Sequence, residues 1–294
     1  MSTDNQKLSY AVARYFLSKP DQIHMKDIQD PPKENCQIFC EWLEQISETN
    51  YIRSQINNSM YMMYFYRKHS ESTSLFKFSK ETLREIHSAK EKDIELETIL
   101  DYPFSYILID TTRQLVFVQK NSYLSSKPST IMNHLAKVIN NALCEHRVVF
   151  KLSPITQKQS FWSAIEEHQG LVSVVEFDLL SPNFLGSTYE TNEFLKDLKK
   201  DCNNDSTKIV LRSDGNSLTP DKNSHFLSNI LKYITNGGGK WAIKSESKRI
   251  TSEKSVYEVD ISRKSVEEQI DGESELDWSL RQIEDIESDN VKDD

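Results

Sequence analysis

The order of apolar segments in this 294-residue chain predicts an α+β fold of two domains, with mixed, largely antiparallel sheets flanked by helices. Phe104–Lys120 is the clearest strand pair, because a polar turn at Thr111–Gln114 separates two apolar runs. Other strand-like segments also follow one another closely, which is typical of antiparallel neighbours. Segments such as Lys33–Ser47 carry apolar residues at helical spacing and indicate helices that cover the sheets.

Two domains and a tail are expected along the chain. Residues 1–145 form the predicted N-terminal α+β domain, which carries two β-hairpins, and residues 146–263 form the predicted C-terminal α+β domain. Residues 264–294 are acidic and poor in aromatic side chains, so they are expected to be disordered or to form a helix that docks on a partner.

The predicted N-terminal domain begins with a strand over Leu8–Leu17, which is rich in β-formers. Its first hairpin joins Met60–Tyr66 to Leu75–Phe78. The polar residues 80–95 are then expected to form a helix and a connector. Pro128 is typical of the first turn of a further helix, with Ser126 as its N-cap and its end near Cys144.

The predicted C-terminal domain alternates strands with helices. Strands are expected at Val148–Leu152, Leu171–Leu180 and Lys208–Arg212, and a last hairpin is expected to join Trp241–Lys244 to Val256–Ile261. The glycine run Asn236–Lys240 is similar to a phosphate-binding loop in composition. Such a loop leads from a strand into a helix, whereas here a predicted helix precedes the glycines and a strand follows, so a helix end and tight turn is the favoured interpretation.

The net charge of −9 is concentrated in the tail. Residues 265–294 hold twelve of the 45 acidic residues but only Arg281 and Lys292 among the 36 basic ones, so the remainder of the chain is close to neutral. A neutral body can still carry a basic face, and a low pI does not exclude nucleic acid as a partner. The absence of a long apolar run or a signal peptide, together with four scattered cysteines, predicts a cytoplasmic protein without membrane insertion.

No residue set predicts catalysis, and none predicts a cofactor or a metal. Cys36 and Cys40 could share one helix face, but a closed zinc site needs four ligands and no second Cys or His pair accompanies them. Glu176 and Asp178 project from the same side of one predicted strand. The solvated face of an amphipathic strand is the favoured interpretation, and ligands of a metal-dependent nuclease are the alternative.

Two basic clusters predict a nucleic-acid interface if they converge on one surface. The N-terminal cluster, which follows the Phe104–Lys120 hairpin, comprises Lys120, Lys127, Lys137, Arg147, Lys151 and Lys158. The C-terminal cluster comprises Lys240, Trp241, Lys244, Lys248, Arg249 and Lys254. No recognition helix, zinc finger or aromatic platform for single strands is apparent, so binding is expected to involve the backbone more than the bases.

A resemblance adds a functional context. The tyrosine-rich hairpin MYMMYFY…LFKFSK is followed by PFSYILID, by LVFVQK with a serine-rich loop and helix, by RVVFKLSPI and by VSVVEFDLL. This order, over about residues 59–180, resembles that of the DNA-binding Rex exclusion proteins of lambda-like phages and of the B component of Kiwa-type antiphage systems. The resemblance lies in element order and apolar pattern, without an invariant motif.

The resemblance implies a dimeric, sequence-nonspecific binder of double-stranded DNA that acts as the sensor of a phage-defence or exclusion system, paired with a membrane effector. No catalytic residues carry over from it. A protein-interaction module of a defence complex that does not bind nucleic acid is the main alternative function.

In the tail, Leu276, Leu280, Ile283 and Ile286 recur at helical intervals around Trp278, which predicts an amphipathic helix that docks on a partner or on the protein's own basic face.

Overall fold

The structure, a computed structural model, describes residues 6–18, 35–89, 93–181, 190–202, 204–214, 217–246 and 248–268, together with Asp277, Ser279 and Ile283. The chain has an α+β fold with mostly antiparallel sheets, as predicted. It divides into a central unit of residues 19–150 and a terminal unit of residues 1–18 and 151–294. The first strand, β1 (Lys7–Ser18), therefore belongs with the C-terminal half of the chain.

The central unit contains a five-stranded antiparallel sheet in the order β8-β7-β4-β3-β2, a separate two-stranded ribbon and two helices. Its elements are α1 (Asn35–Thr49), β2 (Tyr51–Ile56), β3 (Ser59–Lys68), β4 (Thr73–Lys80), β5 (Thr82–Ala89), β6 (Ile94–Asp101), β7 (Phe104–Asp110), β8 (Leu115–Gln119) and α2 (Pro128–Leu143). The two predicted hairpins are confirmed as β3–β4 and β7–β8.

Both helices of the central unit bury an apolar stripe. The buried side chains of α1 include Phe39, whose ring stacks on Phe150 at 5.3 Å between centroids. Helix α2 packs against β2, β3 and β8. It begins at Pro128 as predicted, but Lys127 and not Ser126 is its N-cap, and no side chain caps it.

Strand β2, which the sequence did not indicate, extends the sheet beyond the tyrosine-rich strand β3. A tight turn at Asn57 and Asn58 joins the two strands, and both asparagines have positive φ angles, 48° and 63°. Asparagine tolerates this left-handed backbone better than most residues, and such turns match the twist of a hairpin.

The expected helix within residues 80–95 is wrong, because the described residues of this segment lie mainly in strands β5 and β6. Strands β5 and β6 pair only with each other, from Thr82 opposite Asp101 to Ala89 opposite Ile94. We call this two-stranded ribbon the arm. No described residue of the arm is buried. The polar composition of this segment predicts a helix. Its side chains also alternate between two faces, and because β6 is available as a pairing partner the segment forms a strand.

The remaining elements along the chain are β9 (Val149–Pro154), α3 (Lys158–Glu167), β10 (Val172–Leu180), α4 (Glu190–Cys202), β11 (Ser206–Arg212), α5 (His225–Tyr233), β12 (Gly239–Ser245), β13 (Lys248–Thr251), β14 (Glu258–Ser262) and α6 (Arg263–Glu267). Strands β11, β10, β12 and β13 form, in that order, the four-stranded antiparallel sheet of the terminal unit. Strands β9 and β14 both pair with β1.

The last hairpin differs from the prediction. Strand β12 turns into the short, charged strand β13, with Ala242 opposite Thr251 and Ser245 opposite Lys248. Strand β14, which was expected to complete that hairpin, pairs with β1 at the other end of the sequence. A four-residue strand of sequence KRIT has too little apolar alternation to be recognised from its residues alone.

The core of the terminal unit lies on one face of the four-stranded sheet. Val175, Phe177 and Leu179 of β10 point into this core, as the sequence predicts. The ring of Phe161 from α3 contacts Phe177 and, edge-on, Trp241 of β12 at 5.4 Å between centroids. Helices α4 and α5 contribute further buried residues, so helices cover this face.

The glycine run forms the end of α5 and a tight turn into β12, which confirms the favoured interpretation of Asn236–Lys240. Gly237 has a φ of 83°, and a Cβ there would lie 2.6 Å from the Cβ of Arg14. A Cβ on Gly239 would lie 2.3 Å from the backbone oxygen of Asp178. Glycine is therefore needed at these two positions because the backbone lies close to neighbouring atoms, and not because a phosphate needs room.

Replacing Gly237 with alanine is expected to lower the free energy of unfolding by about 1–3 kcal/mol, because the backbone is left-handed and the new Cβ meets Arg14. Gly170→Ala is the matched control: its φ is 81°, but no atom lies within 4 Å of the added Cβ. Chemical denaturation of both variants measures the difference. Equal losses would mean that backbone strain alone, without the close approach, explains the glycine.

Candidate nucleic-acid interface

The second face of the four-stranded sheet is open and carries three of the six residues of the predicted C-terminal basic cluster. Residues opposite each other in antiparallel strands share a face, so the strand register defines three rows of side chains on it. The rows are Lys208, Asp178 and Lys240; then Val210, Glu176, Ala242 and Thr251; and then Arg212, Val174, Lys244 and Arg249. We call this surface the basic face.

The five basic side chains of the basic face outnumber its two carboxylates. All five are exposed; for instance, the side chains of Lys240 and Arg249 are 58% and 64% accessible. Asp178 lies 3.9 Å from the Nζ of Lys240, a distance typical of a weak, solvated ion pair. The face therefore retains positive charge after its internal pairs are counted.

Glu176 is held at the middle of the basic face by two cations. Arg249 Nη2 donates to its Oε2 at 2.8 Å, and Lys208 Nζ lies 3.3 Å from the same oxygen. Burial tends to raise the pKa of this carboxyl, but the hydrogen bond from Lys208 and the charge of Arg249 outweigh burial and hold the pKa below its usual value. Glu176 thus orders two basic side chains and stays ionised.

A depression of about 410 Å³ opens at the third row of the basic face. Its lining includes Glu176, Arg212, Ser213, Asp214, Lys244 and Arg249. Among the described residues, neither Arg212 nor Lys244 has an ion-pair partner. Phosphate oxygens accept hydrogen bonds from guanidinium, ammonium and hydroxyl groups, and this depression has all three kinds of donor.

The C-terminal basic cluster is brought together only in part. Lys240, Lys244 and Arg249 lie on the basic face, whereas the exposed Lys248 lies opposite Ser245, on the side of the sheet that Trp241 and Ile243 share. Trp241 lies on the other face, where it is 3% exposed in the core, so its prediction as a nucleic-acid contact is wrong. The side chain of Lys254 lies outside the described residues.

The N-terminal basic cluster is spread over several elements. Lys120, Lys127 and Lys137 are exposed in the central unit, and Arg147 is half-buried there with a φ of 55°. Lys151 belongs to the terminal unit, where its Nζ lies 2.9 Å from Asp205. The side chain of Lys158 lies outside the described residues. Convergence of the two clusters on one surface stays a prediction.

Lys208 and Arg212 belong to the basic face, yet charge counting along the sequence missed them. Both lie on β11, which was predicted as a strand, but they fall outside the two lysine-rich stretches. The signal was the alternation Lys208, Val210, Arg212, which places three side chains on one face of a strand. Combining strand alternation with charge would have found both.

Within the described part of the chain, no group of three or more potential metal-binding side chains occurs. Cys36 and Cys40 are half-buried cysteines of α1 outside any disulfide, and Gln114 Nε2 lies 3.7 Å from the Sγ of Cys36. Burial raises the pKa of the Cys40 thiol, and the charge of Glu44 raises it further. A thiol that resists ionisation is a poor zinc ligand.

Part of the tail is helical and buried. Ser265 and Val266 are buried in α6, and Ile283, one of the predicted partner-binding residues, is 2% exposed. Leu276, Trp278, Leu280 and Ile286 lie outside the described residues. The burial of Ile283 within a single chain favours a contact of this residue with the protein itself over a contact with a partner.

No protein-family model, curated protein or solved structure matches this chain. Among the described residues, no helix has the length and apolar character needed to cross a membrane.

The ion pairs of Glu176 predict a pH-dependent contribution to stability. Its pKa is lower in the folded than in the unfolded protein, so the contribution is complete above the unfolded value and is lost as pH falls through the folded value. The free energy of unfolding of wild type should exceed that of Glu176→Gln at pH 7, and this difference should shrink as pH falls below about 4.

Denaturation of both proteins between pH 7 and pH 3 measures this effect. Asp178→Asn is the control on the same strand, because its partner is 3.9 Å away and the Asp178 side chain is 43% accessible, so a smaller difference is expected. A Glu176 effect that does not change over this pH range would contradict the proposed ion-pair origin.

Proposed function

We propose that this protein binds double-stranded DNA without sequence specificity, through phosphate contacts made by the basic face. The observation that carries the proposal is the depression at which Arg212 and Lys244 have no ion-pair partner among the described residues. Exposed cations that release counterions from DNA supply most of the affinity of nonspecific binding. A sheet face with short rows of Lys and Arg suits phosphates, which carry no sequence information.

The geometry around Glu176 does not favour the nuclease alternative. A metal-dependent nuclease would use Glu176 and Asp178 as ligands, but Arg249 and Lys208 already contact one oxygen of Glu176. Two cations beside a carboxylate oppose the binding of a third positive charge. The two carboxylates are better explained as anchors that position the basic side chains.

The biological role we propose is that of a DNA-binding sensor in a phage-defence or exclusion system. The support for this role is the resemblance in element order to Rex exclusion proteins and Kiwa-type B components. That resemblance also supports a homodimer and a membrane effector as the partner protein.

The salt dependence of binding to a short DNA duplex tests the proposal. The logarithm of the association constant should fall linearly with the logarithm of salt concentration, with a slope of roughly −0.9 per phosphate contact. The double variant Arg212→Gln/Lys244→Gln should bind more weakly and reduce the magnitude of this slope by about two. Fluorescence anisotropy with a labelled duplex at four or more salt concentrations provides the measurement.

Lys200→Gln is the control for this experiment, because Lys200 is an exposed lysine of α4, a helix on the covered side of the same sheet. It should leave both affinity and slope nearly unchanged. Failure of wild type to bind duplex at low salt, or binding that ignores salt, would remove the basis for a DNA-binding function.

The alternative function, a protein-interaction module, is favoured by the arm. One face of the arm carries Leu83 and Leu100 opposite each other, with Leu96 and Ile94 further along, and these side chains are 49–75% exposed. An isolated two-stranded ribbon is marginally stable in water, so an apolar face of this kind is expected to be covered. Its strands carry more acidic than basic residues, which argues against DNA as its ligand.

A second copy of this chain is the partner that the arm suits. Glu85 and His87 lie on the same face of the arm, and a two-fold axis that passes between them would bring Glu85 of one copy near His87 of the other. Leu96→Glu should shift a dimer towards monomer in sedimentation velocity. Ile99→Glu, on the opposite face of the arm, should not; equal effects or a wild-type monomer would contradict this role.

A further inference from the structure

An exposed group of tyrosines lies on the sheet of the central unit. Tyr51, Tyr64, Tyr66 and Tyr102 are 37–47% exposed. Tyr51 of β2 and Tyr64 of β3 are directly opposite in the strand register, so they share a face. Their rings stack with centroids 5.5 Å apart and an interplanar angle of 28°.

The same row continues across the sheet with Lys77 of β4 opposite Tyr64, and Tyr106 of β7 opposite Lys77. The Nζ of Lys77 lies 4.1 Å from the ring centroid of Tyr66 and 4.9 Å from that of Phe104. These distances are typical of cation–π contacts. Tyr106 is 3% exposed, so the accessible part of this row ends at Lys77, whose positive charge lies among aromatic rings.

The exposed rings of Tyr51 and Tyr64 lie on the face of the sheet opposite to helix α2. Alternate residues of the same strands point to the other side, where Asn141 of α2 donates to Ser54 and His134 of α2 contacts Tyr61. The exposed rings are thus supported by a β-sheet, and helix α2 packs on the other side of that sheet. We call it the tyrosine platform, comprising Tyr51, Tyr64, Tyr66 and Tyr102 with Lys77 and Arg53.

We propose that the tyrosine platform binds the unpaired bases of single-stranded nucleic acid by stacking. Every base presents a π-face, so exposed rings on a sheet accept bases with little regard to sequence. Lys77 and the exposed Arg53, which follows Tyr51 by two residues on the same face, supply charge for the adjoining phosphates.

Charge favours nucleic acid over a protein partner at this surface. Arg53 and Lys77 are both basic, and the Nζ of Lys77 lies over the rings of Tyr66, Phe104 and Tyr106. Glu81 lies at the edge of the platform, where it accepts a hydrogen bond from the Tyr102 hydroxyl at 3.5 Å. A platform with basic side chains between its rings complements an anionic strand of stacked bases.

The binding of a fluorescein-labelled oligothymidine, which forms no duplex, tests this proposal. Tyr51→Leu/Tyr64→Leu keeps apolar side chains but removes the rings, and it should weaken binding by about tenfold or more, since stacking on two rings is lost. Tyr51→Phe/Tyr64→Phe keeps the rings and should retain most of the affinity. Tyr123→Leu, which changes a tyrosine that is 75% exposed elsewhere in the central unit, should have no effect.

The experiment separates this proposal from duplex binding by the basic face. In the Arg212→Gln/Lys244→Gln background, oligothymidine binding should persist and should still depend on Tyr51 and Tyr64. Wild-type protein that binds oligothymidine but not duplex would leave the platform supported and the proposed duplex function rejected. Oligothymidine binding that is lost with the basic face, and unaffected by the leucine variant, would overturn the platform.

Photo-crosslinking provides a measurement that needs no variant. Wild-type protein crosslinked to oligonucleotides that carry 5-iodouracil should yield modified peptides from residues 51–68 or from the segment around Tyr102. Crosslinks confined to other segments would overturn the proposal. A change of oligomeric state in Tyr51→Leu/Tyr64→Leu would also overturn it, because the rings would then be an interface between protein chains.

Discussion

The packing of Phe161 against Phe177 and Trp241 fixes which face of the four-stranded sheet is buried. Side chains alternate along a strand, so burying Phe177 and Trp241 forces Glu176, Asp178 and Lys240 to the other side. A slip of one residue in the register would exchange the two sets, placing charges in the core. The arrangement of charge on the basic face is therefore a consequence of the core beneath it.

The sequence predicts which side chains of β10 point inward and which point outward, because apolar and polar residues alternate along that strand. Val175, Phe177 and Leu179 are recognisable as inward residues from their spacing alone, and Glu176 and Asp178 as outward ones. Grouping residues by their position in the sequence fails for Trp241. It lies between lysines in the sequence, but its side chain points to the opposite face of the sheet. Lys208 and Arg212 come to the face through a strand pairing that spacing along the sequence cannot reveal.

The tyrosine platform could not be predicted for a related reason. Tyr64 and Tyr66 lie in a run of seven apolar and aromatic residues that is equally compatible with a fully buried strand. In the structure Tyr64 lies on the face opposite to helix α2, paired with Tyr51 of β2, a strand that the sequence did not indicate. The arm escaped prediction because its strands have a helix-like polar composition.

The pairing of β1 with β14 joins Lys7–Ala11 to Glu258–Ser262. During synthesis this ladder cannot form until β14 has been made, which takes about 12–50 seconds after β1 appears at typical translation rates. The central unit, whose residues all lie between these two strands in the sequence, can complete its own sheet during that time. Pairing of β1 therefore waits for β14, and the apolar strand β1 is open to aggregation in the nascent chain until β14 has been made.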